Sequence, residues 1–256
     1  MATTTMTRID AVLAALEAAG TEQNRKVYRR HGAREPLFGV SFAELRKLQK
    51  AIKRDHDLAV ALWSTGNTDA RTLACFVADP AAMTEAELDV WLAEIDYYTL
   101  VDVFVGNVAS KVSGVRERAL RWIESERDWT AQAGWDLVGH LASDPHTDDE
   151  LLAGLLARIE REIERAGNRT RHAMNGALIA IGIRSEAFTD AAVAAAERIG
   201  SVIVDHGETG CVTPAAIPYI HKTLAYRDAQ ARKRAATEAS RAESKVETKA
   251  DSRVRA

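Results

Sequence analysis

The feature that most narrows what this chain can fold into is a helix-start signal roughly every fifteen to twenty residues, with almost no strand signal between them. Ser41 with Glu44, Thr84 with Glu87 and Thr147 with Glu150 have capping-box spacing, where a hydroxyl takes the N–H three residues on and the carboxylate returns the bond. Thr213 before Pro214 reads as an N-cap with proline in the first turn, and Asp128 and Asn168 are placed to cap the helices after them. Behind these signals apolar residues return at steps of three and four, as in Leu151, Leu155, Ile159 and Ile163, or Met174, Leu178 and Ile181. About a dozen helices with short loops and no sheet leave two all-α architectures, a compact bundle or an α-solenoid. Helices of about 10–18 residues following one another in pairs lean towards the solenoid.

Such a stack needs apolar surface, and 46% hydrophobic residues in 256 supply it without a metal or disulfide. The two cysteines, Cys75 and Cys211, fit reduced thiols. No apolar run reaches the length of a membrane span, and Met1–Arg8 has no apolar segment after a basic start. A cytoplasmic location is the expectation. After Tyr226 the composition turns to Ala, Arg, Lys, Glu, Ser and Thr, which bury too little to offset ordering entropy. One helical domain over 1–235 is therefore expected, with the last helix fraying after about Ala236 into a charged, disordered tail, 236–256. Arg227–Ala256 carries nine Lys/Arg against five Asp/Glu, or +4; with a net charge of −3, the body before it carries −7. Any nucleic-acid face must then be a confined basic stripe.

Candidates for that stripe are Lys111, Arg116, Arg118, Arg121, Arg169, Arg171 and His172. Arg169 and Arg171 follow Asn168 at a helix start, where free N–H groups and the helix dipole favour phosphate and where basic residues do not serve helix stability. Arg29, Arg30 and His31 read as solvated surface. Asp205, His206, Cys211 and His221 have no standard zinc spacing, so that stretch reads as a structural loop, and neither metal nor cofactor is expected.

The residues Tyr28-Arg29-Arg30-His31-Gly32, Pro36-Leu37-Phe38-Gly39-Val40 and Leu45-Arg46-Lys47-Leu48 resemble the opening signature of the DNA alkylation repair family, the AlkD-like HEAT-repeat DNA glycosylases. Leu62-Trp63 with Asp69-Ala70-Arg71 resembles the next repeat, and Tyr97-Tyr98-Thr99-Leu100-Val101-Asp102 falls where the family carries aromatics and an aspartate. Arg171–Ile183 and Val204–Cys211 resemble a divergent branch, so the similarity spans roughly Arg25–Ala225. The resemblance implies a HEAT-like, ARM-type α-solenoid, a curved stack of antiparallel helix pairs, monomeric, with a basic groove for duplex DNA. It also implies hydrolysis of the N-glycosidic bond of cationic N3- or N7-alkylpurines. Asp102 matches the family's catalytic aspartate and Tyr98 the place of a tryptophan; the two share a helix face one turn apart. A carboxylate there stabilises an oxocarbenium-like sugar, and an aromatic face attracts the cationic base. Arg169, Arg171, His172, Lys111, Gln132 and Trp129 are the expected DNA contacts. The sequence departs from the family at Gln132, where an arginine is expected, and at Gly176, at or beside the place of a second tryptophan. Two other readings fit this pattern: a non-catalytic relative binding distorted DNA, and a helical-repeat scaffold binding a protein.

Overall fold

The computed structural model describes the backbone of residues 2–254 and the side-chain surroundings of residues 8–235 and Thr237. Thirteen α-helices and no strand are found among the described residues. They are α1 (Ala2–Ala19), α2 (Glu22–Arg30), α3 (Phe42–Ile52), α4 (His56–Trp63), α5 (Thr68–Val77), α6 (Glu85–Glu94) and α7 (Tyr98–Phe104). There follow α8 (Val115–Trp122), α9 (Asp128–Ser143), α10 (Asp149–Glu162), α11 (Asn168–Gly182), α12 (Glu186–Ile199) and α13 (Ala216–Val254). A π-helical turn, Val105–Ala109, extends α7. Helices α5, α7, α9, α11 and α13 form one row, each packed on the next, with α4, α8 and α12 behind them. This two-layer stack is the all-α solenoid the helix pairing predicts.

Several starts behave as their residues require. Ser41 caps α3 through the Glu44 N–H, and Thr84 with Glu87 completes a capping box on α6. Others differ. Thr147 caps nothing, since α10 begins after Asp148. Thr213 is spent on two histidines, and α13 begins at Ala216. Helix α13 continues to Val254. Ala, Arg, Lys and Glu are strong helix formers, so local propensity alone favours this conformation where packing does not.

Inside the stack, Trp63 lies flat on Trp91, ring centroids 4.1 Å apart, and Phe104 contacts both rings and Trp122. This aromatic column joins α4, α6, α7 and α8. Between helix pairs, arginines close the open carbonyls of helix ends. Arg71 donates to Trp63 O and Glu94 O, Arg127 to Leu92 O and Ile95 O, and Arg184 to Ala142 O, Asp144 O and Thr147 O. The signature around Phe38–Val40 is structural too. The buried Asp69 carboxylate accepts the N–H groups of Phe38, Gly39 and Val40 at 2.7–2.9 Å. Gly39 has φ +79°, and a Cβ there would stand 2.6 Å from Thr21 O.

Candidate functional site

The valines of α7 and its π turn settle which side faces out. Val101, Val105 and Val108 are buried, so Tyr98, Asp102 and Gly106 line the opposite face. The turn is widened where Ser110 N–H reaches Val105 O at 3.0 Å, a device often found beside functional sites. A Cβ on Gly106 would meet nothing within 4 Å, and the same holds for Gly176 on α11. Packing demands glycine at neither place; both keep the surface low.

Helix α9 supplies the neighbouring wall. Gln132 is 1% exposed, and its Nε2 donates to Asp102 Oδ1 at 2.8 Å. Asp136, one turn further along, faces the same way. Asp102, Asp136, Trp135, Gly139, His140, Ala173 and Gly176 border an open pocket of about 400 Å³ across α7, α9 and α11. Asp102 reaches solvent on one side, yet α9 and α11 crowd its carboxyl. That desolvation pushes its pKa up to about 6, against the pull of Arg169 and the bond from Gln132. Asp136 is also pushed well above the usual carboxylate range, first by burial and then by the nearby Asp102 charge.

Helix α11 adds the cation. Arg169 is 6% exposed, and its guanidinium carbon lies 3.9 Å from the centre of the Tyr98 ring. Its Nε is buried without an acceptor, and no hydrogen bond or ion pair from its guanidinium to another protein group is found among the described residues. The Tyr98 hydroxyl meets His31 Nδ1, which brings the end of α2 to the site. His172 and His206 both bond Thr213 Oγ1, at 3.2 and 2.9 Å, with their rings edge to face. Burial, then the charge of Arg169, pushes His172 down to about 4, and the same causes lower His206. His31 is lowered by burial and by Arg30. At neutral pH these imidazoles are uncharged, leaving Arg169 as the cation of this cluster.

The structure thus gathers Asp102, Tyr98, Gln132, Arg169 and His172, and separates other expected contacts from them. Arg171 points away and donates to the carbonyls of Ile163, Glu164, Ala166 and Ile203, at 2.9–3.2 Å. It braces the end of α10 and a loop. The expected phosphate site on the first N–H groups of α11 is also filled: Asp128 accepts from Arg169 N and Thr170 N at 2.9 and 2.8 Å. Gln132 is too buried for a phosphate and serves Asp102 instead. Trp129 is half-buried against the core, on the helix face that carries Gln132 and Asp136. Lys111 is exposed and close enough to lower His140, whose first cause is burial. Arg116, Arg118 and Arg121 pair with Asp148, Glu85 and Asp89. Trp122 belongs to the core, whereas buried Trp135 borders the pocket. Among the described residues no cluster of three potential metal ligands occurs. Sequence reasoning missed Asp136, although its four-residue step from Gln132 was a usable signal. His31 and His206 arrive through tertiary contacts that no local spacing announces.

Set beside known proteins, the chain matches the family model described as DNA alkylation repair enzyme over residues 12–220. It belongs to that family. An uncharacterized protein of Listeria innocua is 31% identical over 224 residues, spanning 85% of this chain and 96% of its own length. One from Listeria monocytogenes is 30% identical with the same coverage. A solved structure, described as a new family of proteins related to the HEAT-like repeat DNA glycosylases with affinity for branched DNA structures, superposes with a TM-score of 0.77. It is 30% identical, and the match covers 85% of this chain and 94% of that one. The stack is therefore a HEAT-like repeat fold. No helix among the described residues is long and apolar enough to cross a membrane.

Proposed function

We propose that this member of the family binds DNA in the groove across α7, α9 and α11 and reads branched or distorted structures through backbone and shape rather than base edges. The observation that carries this reading is Arg169, a buried guanidinium over the Tyr98 ring whose Nε has no acceptor, together with the open Cβ positions of Gly106 and Gly176. A buried guanidinium N–H without an acceptor is costly, and a phosphate oxygen supplies the missing charge-assisted bond. Contacts to phosphates fix position and orientation, while deformability distinguishes a branch from a linear duplex. The branched-DNA affinity described for the structural neighbour supports the same choice. The test is a binding titration of a three-way junction against a linear duplex of equal length, at two salt concentrations. Tighter, salt-weakened binding of the junction is expected. Equal or absent binding of both would overturn the proposal.

A second reading, excision of cationic N3- or N7-alkylpurines, is favoured by one arrangement. Asp102 reaches solvent at the pocket, on the same helix face as Tyr98. Above about pH 6 its carboxylate has the charge needed to stabilise an oxocarbenium-like sugar. On the other side, Gly176 leaves open space where the family places an aromatic wall, and Gln132 provides no guanidinium. Incubating the protein with methylated duplex decides between them. Release of 7-methylguanine or 3-methyladenine that stops in Asp102→Asn establishes excision, and absence of release leaves structure-specific binding.

A further inference from the structure

Helix α13 has two parts. As far as Arg227 it belongs to the stack. Ile220 is fully buried in the space that a Cβ on Gly182 would need, Leu224 rests on the core, and Arg227 donates to Ile183 O at 2.7 Å. Beyond it Asp228, Arg232, Lys233, Arg234 and Thr237 are exposed, while the backbone stays helical to Val254. At about 1.5 Å per residue that projection is on the order of 40 Å long.

From Arg241 to Arg253 its charges are sorted. Arg241, Lys245, Lys249 and Arg253 recur at steps of four, and Glu243, Glu247 and Asp251 recur at the same step, two residues out of phase. A step of four advances about 40° round a helix and a step of two about 200°. The basic and acidic residues therefore wind along opposite sides as two separate stripes. This sorting works against the helix. Opposite charges three or four apart stabilise a helix, and like charges at that spacing weaken it by similar amounts. Within 241–253 every charged pair four apart is like-charged, and no opposite pair stands three or four apart. A basic stripe that weakens its own helix calls for an anion from outside. A second copy of the helix is the poorer match, because helices pair through apolar seams. Beyond Tyr226 the only large apolar residues are Val246 and Val254. A DNA duplex, by contrast, presents about one charge per 1.7 Å of axis along a stripe roughly 18 Å long. Helix α13 is also the last of the row that forms the groove, packed on α11.

We propose that the projecting part of α13 is a phosphate-backbone arm, whose Arg241, Lys245, Lys249 and Arg253 lie along a duplex arm of the DNA held in the groove. The acidic stripe takes the side away from the DNA. This inference rests on the reading of the groove as a DNA site. Phosphate contacts carry no information about sequence. The arm accordingly adds affinity and salt dependence, and leaves the choice of junction over linear duplex to the groove.

The experiment is a titration of a three-way junction and a linear duplex with the full chain, across roughly 50–200 mM salt. Wild type is compared with a basic-stripe variant (Arg241→Gln, Lys245→Gln, Lys249→Gln, Arg253→Gln) and an acidic-stripe variant (Glu243→Gln, Glu247→Gln, Asp251→Asn). Glutamine is as good a helix former as the residues it replaces, so helix content by circular dichroism should hold. The basic-stripe variant should bind both DNAs about tenfold more weakly at about 0.1 M salt. Its slope of log affinity against log salt should be shallower by about 2–4, since each lost phosphate contact removes about 0.9. The acidic-stripe variant should keep the wild-type slope. An unchanged slope in the basic-stripe variant, with wild type binding DNA, would overturn the arm and leave the groove reading standing. Slope changes of similar size and opposite sign in the two variants would also overturn it, because net charge and not one side of the helix would then carry the effect. A wild-type dimer that the basic-stripe substitutions disperse, seen by sedimentation, would assign the stripe to a second copy instead. Failure of wild type to bind either DNA would sink both readings.

Discussion

Arg118 and Arg169 are both buried arginines, 1% and 6% exposed, and the molecule treats them in opposite ways. At the start of the outer helix α8, Arg118 is fully answered: Glu85 pairs with it and the carbonyls of Ala109, Val112 and Ser113 accept its N–H groups. At the groove, Arg169 has the face of Tyr98 beneath it and no acceptor for its N–H groups among the described residues. The same contrast runs through the two regions. Arg71, Arg127, Arg171 and Arg184 close helix ends between repeats, whereas Gln132 Oε1, Asp136 Oδ2 and Arg169 Nε stay unpaired around the groove. Most arginines of this acidic body are fasteners and say little about DNA. The informative cation is the one that stability does not explain.

The largest effect that could break this contrast belongs to Arg118→Ala. It strips a partner from four groups at once, so a loss of about 3–5 kcal/mol in urea unfolding is expected. A loss under about 1 kcal/mol would mean that buried pairing does not mark the structural arginines.

A middle-sized effect is the pH dependence of DNA affinity. Asp102 is raised to about 6, so it is ionised above that value and neutral below it. Falling pH removes a negative charge from the groove, and affinity should rise about threefold to tenfold between roughly pH 7.5 and 5.5. Asp102→Asn should bind as the wild type does at low pH and show a flatter profile. A stability counterpart has the same sign. Stability associated with Asp102 is full below about pH 4 and lost as pH rises through about 6, so Asp102→Asn should be the more stable form at neutral pH. An affinity that rises with pH would contradict the assignment of Asp102 to the groove.

The smallest effect concerns Gly176, whose Cβ position is open. Gly176→Ala should stabilise α11 by roughly 0.5–1 kcal/mol while weakening DNA binding slightly by raising the floor. Unchanged or lower stability would show that glycine is needed there for the helix itself.

Much of the frame was legible in the chain. Caps at Ser41 and Thr84 and the core valines of α7 follow from spacing, and so does the shared face of Tyr98 and Asp102. Arg169 and Arg171, expected together as DNA contacts, point to different sides, for a reason also present in the sequence. Residues two apart on a helix point to different sides. Arg171 accordingly braces α10, and Arg169 lies over the Tyr98 ring. Asp136 was within reach of the same reasoning, four residues beyond Gln132. What spacing cannot supply is the meeting of distant segments. Asp128 fills the start of α11 from the start of α9, His31 comes to Tyr98 from α2, and Thr213 joins His172 to His206. Each depends on how repeats stack rather than on any local pattern.

The measurement that bears most directly on the central claim is the affinity of Arg169→Ala for a three-way junction at fixed salt, with unfolding followed on the same preparation. Loss of about tenfold in affinity, with stability within about 1 kcal/mol of the wild type, is the expected result. Unchanged affinity, or a collapse in stability like that expected of Arg118→Ala, would place Arg169 among the fasteners and remove the groove's claim to DNA.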